Sequence, residues 1–127
     1  MYRIGKRFWF EAAHHLPDLP DGHKCARPHG HSYSVEVSLA TAGGDLVPPG
    51  FVVDFAELAP LGAYLAETFD HRDLTEVVDV PPTSENLARL LYDWCASNLS
   101  LPSGVRVDSV RVSETASTFA EYTRACQ

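Results

Sequence analysis

Between Ser32 and Leu39 the chain alternates without a break, placing Tyr33, Val35, Val37 and Leu39 on one side of an extended segment and Ser32, Ser34, Glu36 and Ser38 on the other. A period of two fits no helix, so the chain has to build a sheet with one apolar and one polar face. A weaker form of the pattern runs over 2–12, where Tyr2, Ile4, Phe8, Phe10 and Ala12 alternate with Arg3, Arg7 and Glu11, and Lys6 and Trp9 interrupt it. Two further strands are predicted at 105–115 and 118–123. The alternation slips around Val110, which predicts a bulge there.

The period changes between the second and third strands. Gly43-Gly44 and Pro48-Pro49 make 41–50 a turn region that leads to the apolar Phe51-Val52-Val53. Asp54, with Glu57 three residues on, reads as a helix cap and its capping partner. Leu58, Leu61, Leu65 and Phe69 then recur at helical spacing, predicting a helix over 55–68 whose start Pro60 disturbs. A second helix is predicted after Pro81-Pro82, capped by Thr83 or Ser84, with Leu87, Leu90, Leu91, Trp94 and Cys95 on its apolar face. The order strand, strand, helix, helix, strand, strand gives an α+β domain, a four-stranded antiparallel sheet with two helices on one face. At 127 residues the chain is expected to be one domain, 1–127. The uncovered sheet face is expected to be closed by identical subunits, a homo-oligomer.

A formal charge of −7 with no long Lys/Arg stripe argues against a general nucleic-acid binder, so no nucleic-acid partner is expected, and an anionic substrate would need a local basic pocket. No run approaches the roughly 20 apolar residues that span a bilayer, so no membrane partner is expected. The basic start, Met1 to Arg7, is not followed by an apolar signal core, because Glu11, His14 and His15 interrupt it. A cytoplasmic protein is expected. Three widely spaced cysteines, Cys25, Cys95 and Cys126, read as reduced thiols and not as a disulfide framework. Cys95 is predicted in the core, and Cys126 is given no role.

The sharpest chemical feature is His29-Gly30-His31, since two histidines one residue apart in an extended chain point to the same side. His14 shares the parity of Phe8, Phe10 and Ala12, so pairing of the first two strands would bring it to the same end. Three imidazoles with an open fourth position suit catalytic zinc; a histidine-rich strand end with no metal is the other reading, and the pattern alone leaves both open. His15 and His23 fit the second reading, as a strand neighbour facing away and a loop residue. Cys25, four residues before His29, could act beside a metal, close it as a fourth ligand, or be an incidental thiol. Asp70-His71 could be a proton-transfer pair or a surface pair. Glu114 could anchor a ligand that presents N–H donors, or be an ordinary edge glutamate.

The segments Phe10-Glu11-Ala12-Ala13-His14, Gly22 to His31, Val53-Asp54-Phe55-Ala56-Glu57-Leu58, Asp70-His71, Pro81 to Asn86 and Ser113-Glu114-Thr115 resemble, in order and spacing and nearly end to end, the 6-pyruvoyltetrahydropterin synthases and their bacterial relatives, the 6-carboxy-5,6,7,8-tetrahydropterin synthases. The resemblance implies the tunnelling fold, in which trimers form a barrel and often stack as hexamers. It implies an enzyme, a lyase, with zinc on His14, His29 and His31, Cys25 as base, and Asp70 and His71 as a proton relay that a neighbouring subunit is able to contribute. Glu114, helped by Thr83 and Ser84, would grip the pterin, and Lys24, Arg27 and Arg72 are candidates for its triphosphate. The spacing C-x3-H-G-H resembles the carboxypterin branch; the pyruvoyl branch has a longer gap, and a folate-linked branch has Glu in place of Cys25. The implied reaction takes 7,8-dihydroneopterin triphosphate to 6-carboxy-5,6,7,8-tetrahydropterin, acetaldehyde and triphosphate, toward 7-deazapurines such as queuosine or a deazapurine natural product. The alternatives are the pyruvoyl activity, which eliminates triphosphate, and a zinc-stabilised pterin-binding protein without turnover. His15 and Thr75 depart from the usual Arg and Asn of relatives.

Overall fold

Strands β1 (Arg3–His14) and β2 (His29–Thr41) pair antiparallel in continuous register, from Arg3 opposite Ala40 to His14 opposite His29. The hairpin is longer than its alternation suggests, because the ladder runs on through Ala13, His14 and His29 to His31, where side chains carry no apolar period. The computed structural model describes residues 1–16, 18–20, 22–44 and 46–124, and Cys126 lies outside them. Strands β3 (Val105–Thr115) and β4 (Thr118–Tyr122) complete an antiparallel sheet whose spatial order is β1-β2-β3-β4, the order of the chain. The register slips where the sequence does: Ser38 faces Ser109 but Leu39 faces Val107, leaving Asp108 as an extra residue. This bulge lets Val107 and Val110 both turn into the core despite their odd spacing.

The helix predicted over 55–68 is two elements. Asp54 accepts the Ala56 N–H and starts a tight turn, Phe55–Leu58, and only then does α1 (Ala59–Thr68) begin, with Pro60 in its first turn, where no N–H is required. Glu57 does not act as the reciprocal capping partner; its own N–H returns to the Asp54 carbonyl. A single turn, α2 (Leu74–Val77), capped by Asp73, has no counterpart in the sequence reading, since four residues are too few to show a period. Helix α3 (Ser84–Asn98) starts as expected, with Thr83 Oγ1 accepting the Asn86 N–H at 3.1 Å.

Leu61 and Leu65 of α1 and Leu87, Leu91 and Cys95 of α3 are buried in one core with Tyr33, Val35, Val37 and Leu39 of β2. Trp94 sits at the margin, stacked on Tyr64 with ring centroids 4.3 Å apart. Among the described residues nothing covers the other sheet face: Trp9 is 66% exposed, and charges pair across the strands, Arg7 with Glu36 at 2.7 Å and Arg3 with Asp108 at 2.7 Å. Among the described residues no helix is long and apolar enough to cross a membrane.

Candidate metal centre and active site

His14 ends β1 almost completely buried, at 2% exposure, so its ring nitrogens need partners to offset their lost hydration. Nδ1 lies 2.8 Å from the carbonyl oxygen of Pro82, and the Tyr33 hydroxyl is 3.0 Å from the same nitrogen. A carbonyl oxygen only accepts, so the proton sits on Nδ1 and the Nε2 lone pair faces away from the core. His29 is set the same way, its Nδ1 donating to the Arg27 carbonyl at 2.7 Å. Carbonyl partners of this kind fix the tautomer and orientation of metal-binding imidazoles.

The nitrogens left over converge. His14 Nε2 is 2.9 Å from His29 Nε2 and 3.1 Å from His31 Nε2, and the three ligand atoms all lie within 4.8 Å of one another. Lone pairs that face each other this closely repel unless a cation lies between them. The spacing of 2.9 and 3.1 Å is near the roughly 3.3 Å separating nitrogens that sit about 2.05 Å from a tetrahedral ion. Burial lowers the pKa of His31, opposed by the carboxylate of Glu114 and assisted by His14 and His29, which favours the neutral ring a metal needs. The donor set therefore fits a metal ion. The common end results from the register, in which His14 faces His29 and Ala12 faces His31, all on the core side of the hairpin.

Other predicted residues group around or beside this cluster. Glu114, half-buried near the end of β3, places Oε2 3.6 Å from His31 Nε2 and Oε1 3.9 Å from His14 Nε2. Cys25 lies half-buried in a tight turn, Lys24–Ala26; its own N–H donates to His23 Nδ1 at 3.1 Å and its carbonyl accepts from Leu16 N–H at 2.8 Å, tying the turn to the chain just past His14. The Cys25 sulfur is not among the clustered ligand atoms.

Asp70 and His71 are held at the free edge of β1. Asp70 Oδ1 accepts the Glu11 N–H at 2.9 Å, His71 N–H donates to the Glu11 carbonyl at 2.6 Å, and His71 Nδ1 pairs with Asp70 Oδ2 at 3.0 Å. The Glu11 N–H, and after it His71, hold the Asp70 carboxyl below its ordinary pKa. His71 has a positive φ of 59°, rare for a residue with a side chain, and its imidazole is 79% exposed. It shares a hollow of about 550 Å³ with Glu11, Gly30, His31, Ser32 and Arg72.

Thr83 spends its hydroxyl on capping α3, and half-buried Ser84 follows it. Lys24 and Arg27 are exposed, and Arg72 donates to the Glu67 carbonyl at 3.2 Å. His15 faces Asp73 at 3.9 Å and stays outside the cluster, as does His23. Two contributors escaped the sequence reading. The Pro82 carbonyl has no side-chain signature, whereas Tyr33 could have been found from its parity with His31.

A family model described as 6-pyruvoyl tetrahydropterin synthase matches residues 3–125. The 6-carboxy-5,6,7,8-tetrahydropterin synthase of Synechocystis sp. is 36% identical over 129 residues, covering 96% of this chain and 93% of the relative. The protein of the same name from Bacillus subtilis is 30% identical, covering 95% and 84%. The structure of 6-pyruvoyl tetrahydropterin synthase from Caenorhabditis elegans superimposes with a TM-score of 0.81 at 29% identity, over 98% of this chain and 96% of that one. With a match that spans both the hairpin carrying the three histidines and the helices packed behind it, this chain belongs to the 6-pyruvoyl tetrahydropterin synthase family.

Proposed function

We propose that the chain is a zinc-dependent 6-carboxy-5,6,7,8-tetrahydropterin synthase. The observation that carries this reading is the convergence of three Nε2 atoms, two of them on rings whose tautomer a backbone carbonyl fixes. The names of the Synechocystis and Bacillus relatives support the product, as does the Cys25 spacing. The reaction is 7,8-dihydroneopterin triphosphate plus water to 6-carboxy-5,6,7,8-tetrahydropterin, acetaldehyde and triphosphate. It balances without an external redox partner: the side-chain carbon next to the ring rises to a carboxylate and its neighbour to an aldehyde, while the ring gains two hydrogens and the terminal carbon, losing triphosphate, falls to a methyl; water supplies the extra oxygen. The product feeds 7-deazapurine formation, in queuosine or a related natural product.

Zinc on His14, His29 and His31 supplies Lewis-acid polarisation of the substrate's side-chain hydroxyls. Cys25 takes the proton released from the side chain, from a half-buried turn four residues before His29. His71, oriented by Asp70 through Nδ1, presents its other nitrogen outward as the relay. Glu114 holds the amino-pyrimidine edge with Ser84 and with Thr83, whose hydroxyl still has a proton to donate while it accepts the Asn86 N–H, and exposed Lys24 and Arg27 receive the triphosphate. A homo-oligomer, trimer or hexamer, covers the open sheet face and brings sites of neighbouring copies together.

The test is incubation of zinc-loaded protein with 7,8-dihydroneopterin triphosphate and identification of products by mass. Carboxypterin with acetaldehyde is expected. A pyruvoyl pterin would move the chain to the pyruvoyl activity, and no turnover with stoichiometric zinc would leave a pterin-binding zinc protein.

A further inference from the structure

The carboxylate of Glu114 faces ring nitrogens, 3.6 Å from His31 Nε2 and 3.9 Å from His14 Nε2. His14 Nε2 carries no proton, because the Pro82 carbonyl has placed it on Nδ1. A carboxylate oxygen aimed at such a lone pair is repulsive unless a positive charge lies between them. Neither Glu114 oxygen joins the three nitrogens in the tight cluster, and the two approaches come from different oxygens; a rotation of the side chain that brings one oxygen in would give three nitrogens and one carboxylate oxygen, a donor set of the kind zinc takes. A fixed negative charge here also accounts in part for Tyr33, whose hydroxyl pKa is raised by burial and, after that, by Glu114.

Regular strand pairing does not pin the backbone at Glu114. The pairing of β3 with β2 stops at Ser113 opposite Ser34, and the register with β4 shifts between Val112 and Thr115, so Glu114 lies outside the regular ladder on both sides. Its side chain is 24% exposed, so it is open on one side. We propose that Glu114 is a displaceable fourth ligand: its carboxylate closes the metal's open position in the resting protein and leaves it when a pterin offers paired N–H donors to the same two oxygens. This rests on the metal-centre reading above and gives one carboxylate two successive partners. Substrate arrival then opens the metal at the moment its hydroxyls need it.

The test uses the full-length protein loaded with Co2+, whose visible band reports the ligand set, and unsubstituted pterin, which has no side-chain hydroxyl to reach the metal. The expected result is that E114Q binds Co2+ at least about 10-fold more weakly, the scale on which losing a carboxylate at a metal site acts, and shows a shifted band. Adding pterin should shift the wild-type band and leave that of E114Q in place. Unchanged Co2+ affinity and band in E114Q, or a wild-type band indifferent to bound pterin, would overturn the inference. The wild-type titration needs no variant, so the inference stays testable if E114Q fails to fold. A wild type that takes up no metal brings down the metal-centre reading as well, whereas stoichiometric metal with an unresponsive band brings down only the role of Glu114.

Discussion

Two cysteines of this chain have opposite surroundings, and their chemistry should differ accordingly. Cys25 is half-buried in a turn tied to the chain just past β1, and its sulfur does not join the His14, His29 and His31 cluster. Replacing Cys25 by Ala should leave zinc stoichiometry at the wild-type level and lower turnover by at least about 10²-fold, the contribution of a positioned base, as read from metal analysis and product formation together. Cys95 lies in the core, where burial pushes its thiol from an ordinary 9.0 up to about 12. The folded state thus binds this proton more tightly than the unfolded chain does. The stability this contributes is complete below pH 9.0 and is lost as pH rises toward about 12. Urea unfolding at pH 8 and pH 10 should therefore show the wild type losing on the order of 1 kcal/mol more than Cys95→Ala over that interval. Of the site residues, His29 and His31 were legible because one residue of spacing in a strand fixes a shared side. Asp70-His71 was visible only as a dipeptide, since its anchoring to Glu11 is a backbone contact across 59 residues that no local pattern encodes.

At the scale of elements, the start of α3 does two things at once. Thr83 caps the helix, and the residue before it, Pro82, gives its carbonyl to His14. Substituting Thr83 by Ala should lower the unfolding free energy by about 1 kcal/mol and, by loosening Pro82, speed metal loss to a chelator. Ser84→Ala, which removes no capping bond, should be near wild type in a thermal melt and in chelator kinetics. The strands and α3 could be read in the sequence because each is long enough to repeat its period several times. Helix α1 was misplaced at its start, because Asp54 and Pro60 are both N-terminal signals and the turn Phe55–Leu58 separates them. The bulge at Asp108 showed itself as a flaw in alternation, which locates such a device without giving its shape. Helix α2 left no trace, for a single turn makes no pattern.

At the scale of the molecule, the described residues cover the sheet on one face only. Its open side carries Trp9 and paired charges, and exposed ion pairs of this kind stabilise little. A second copy laid against this face would bury Trp9, so Trp9→Asp should shift light-scattering mass after gel filtration from an oligomer toward a single chain. An unchanged mass would place Trp9 outside the contact. The hairpin that carries the three histidines has a further consequence, for the order of events in folding. The outermost histidines of the cluster, His14 and His31, are only 17 positions apart, whereas the carbonyl that aims His14 comes from 68 positions away. Closing a short loop is fast and long-range docking is slower, so the three histidines can come together before α3 supplies the Pro82 carbonyl. Assembly of the three histidines would then precede their final alignment, and the hairpin would hold an unfinished site until α3 docks.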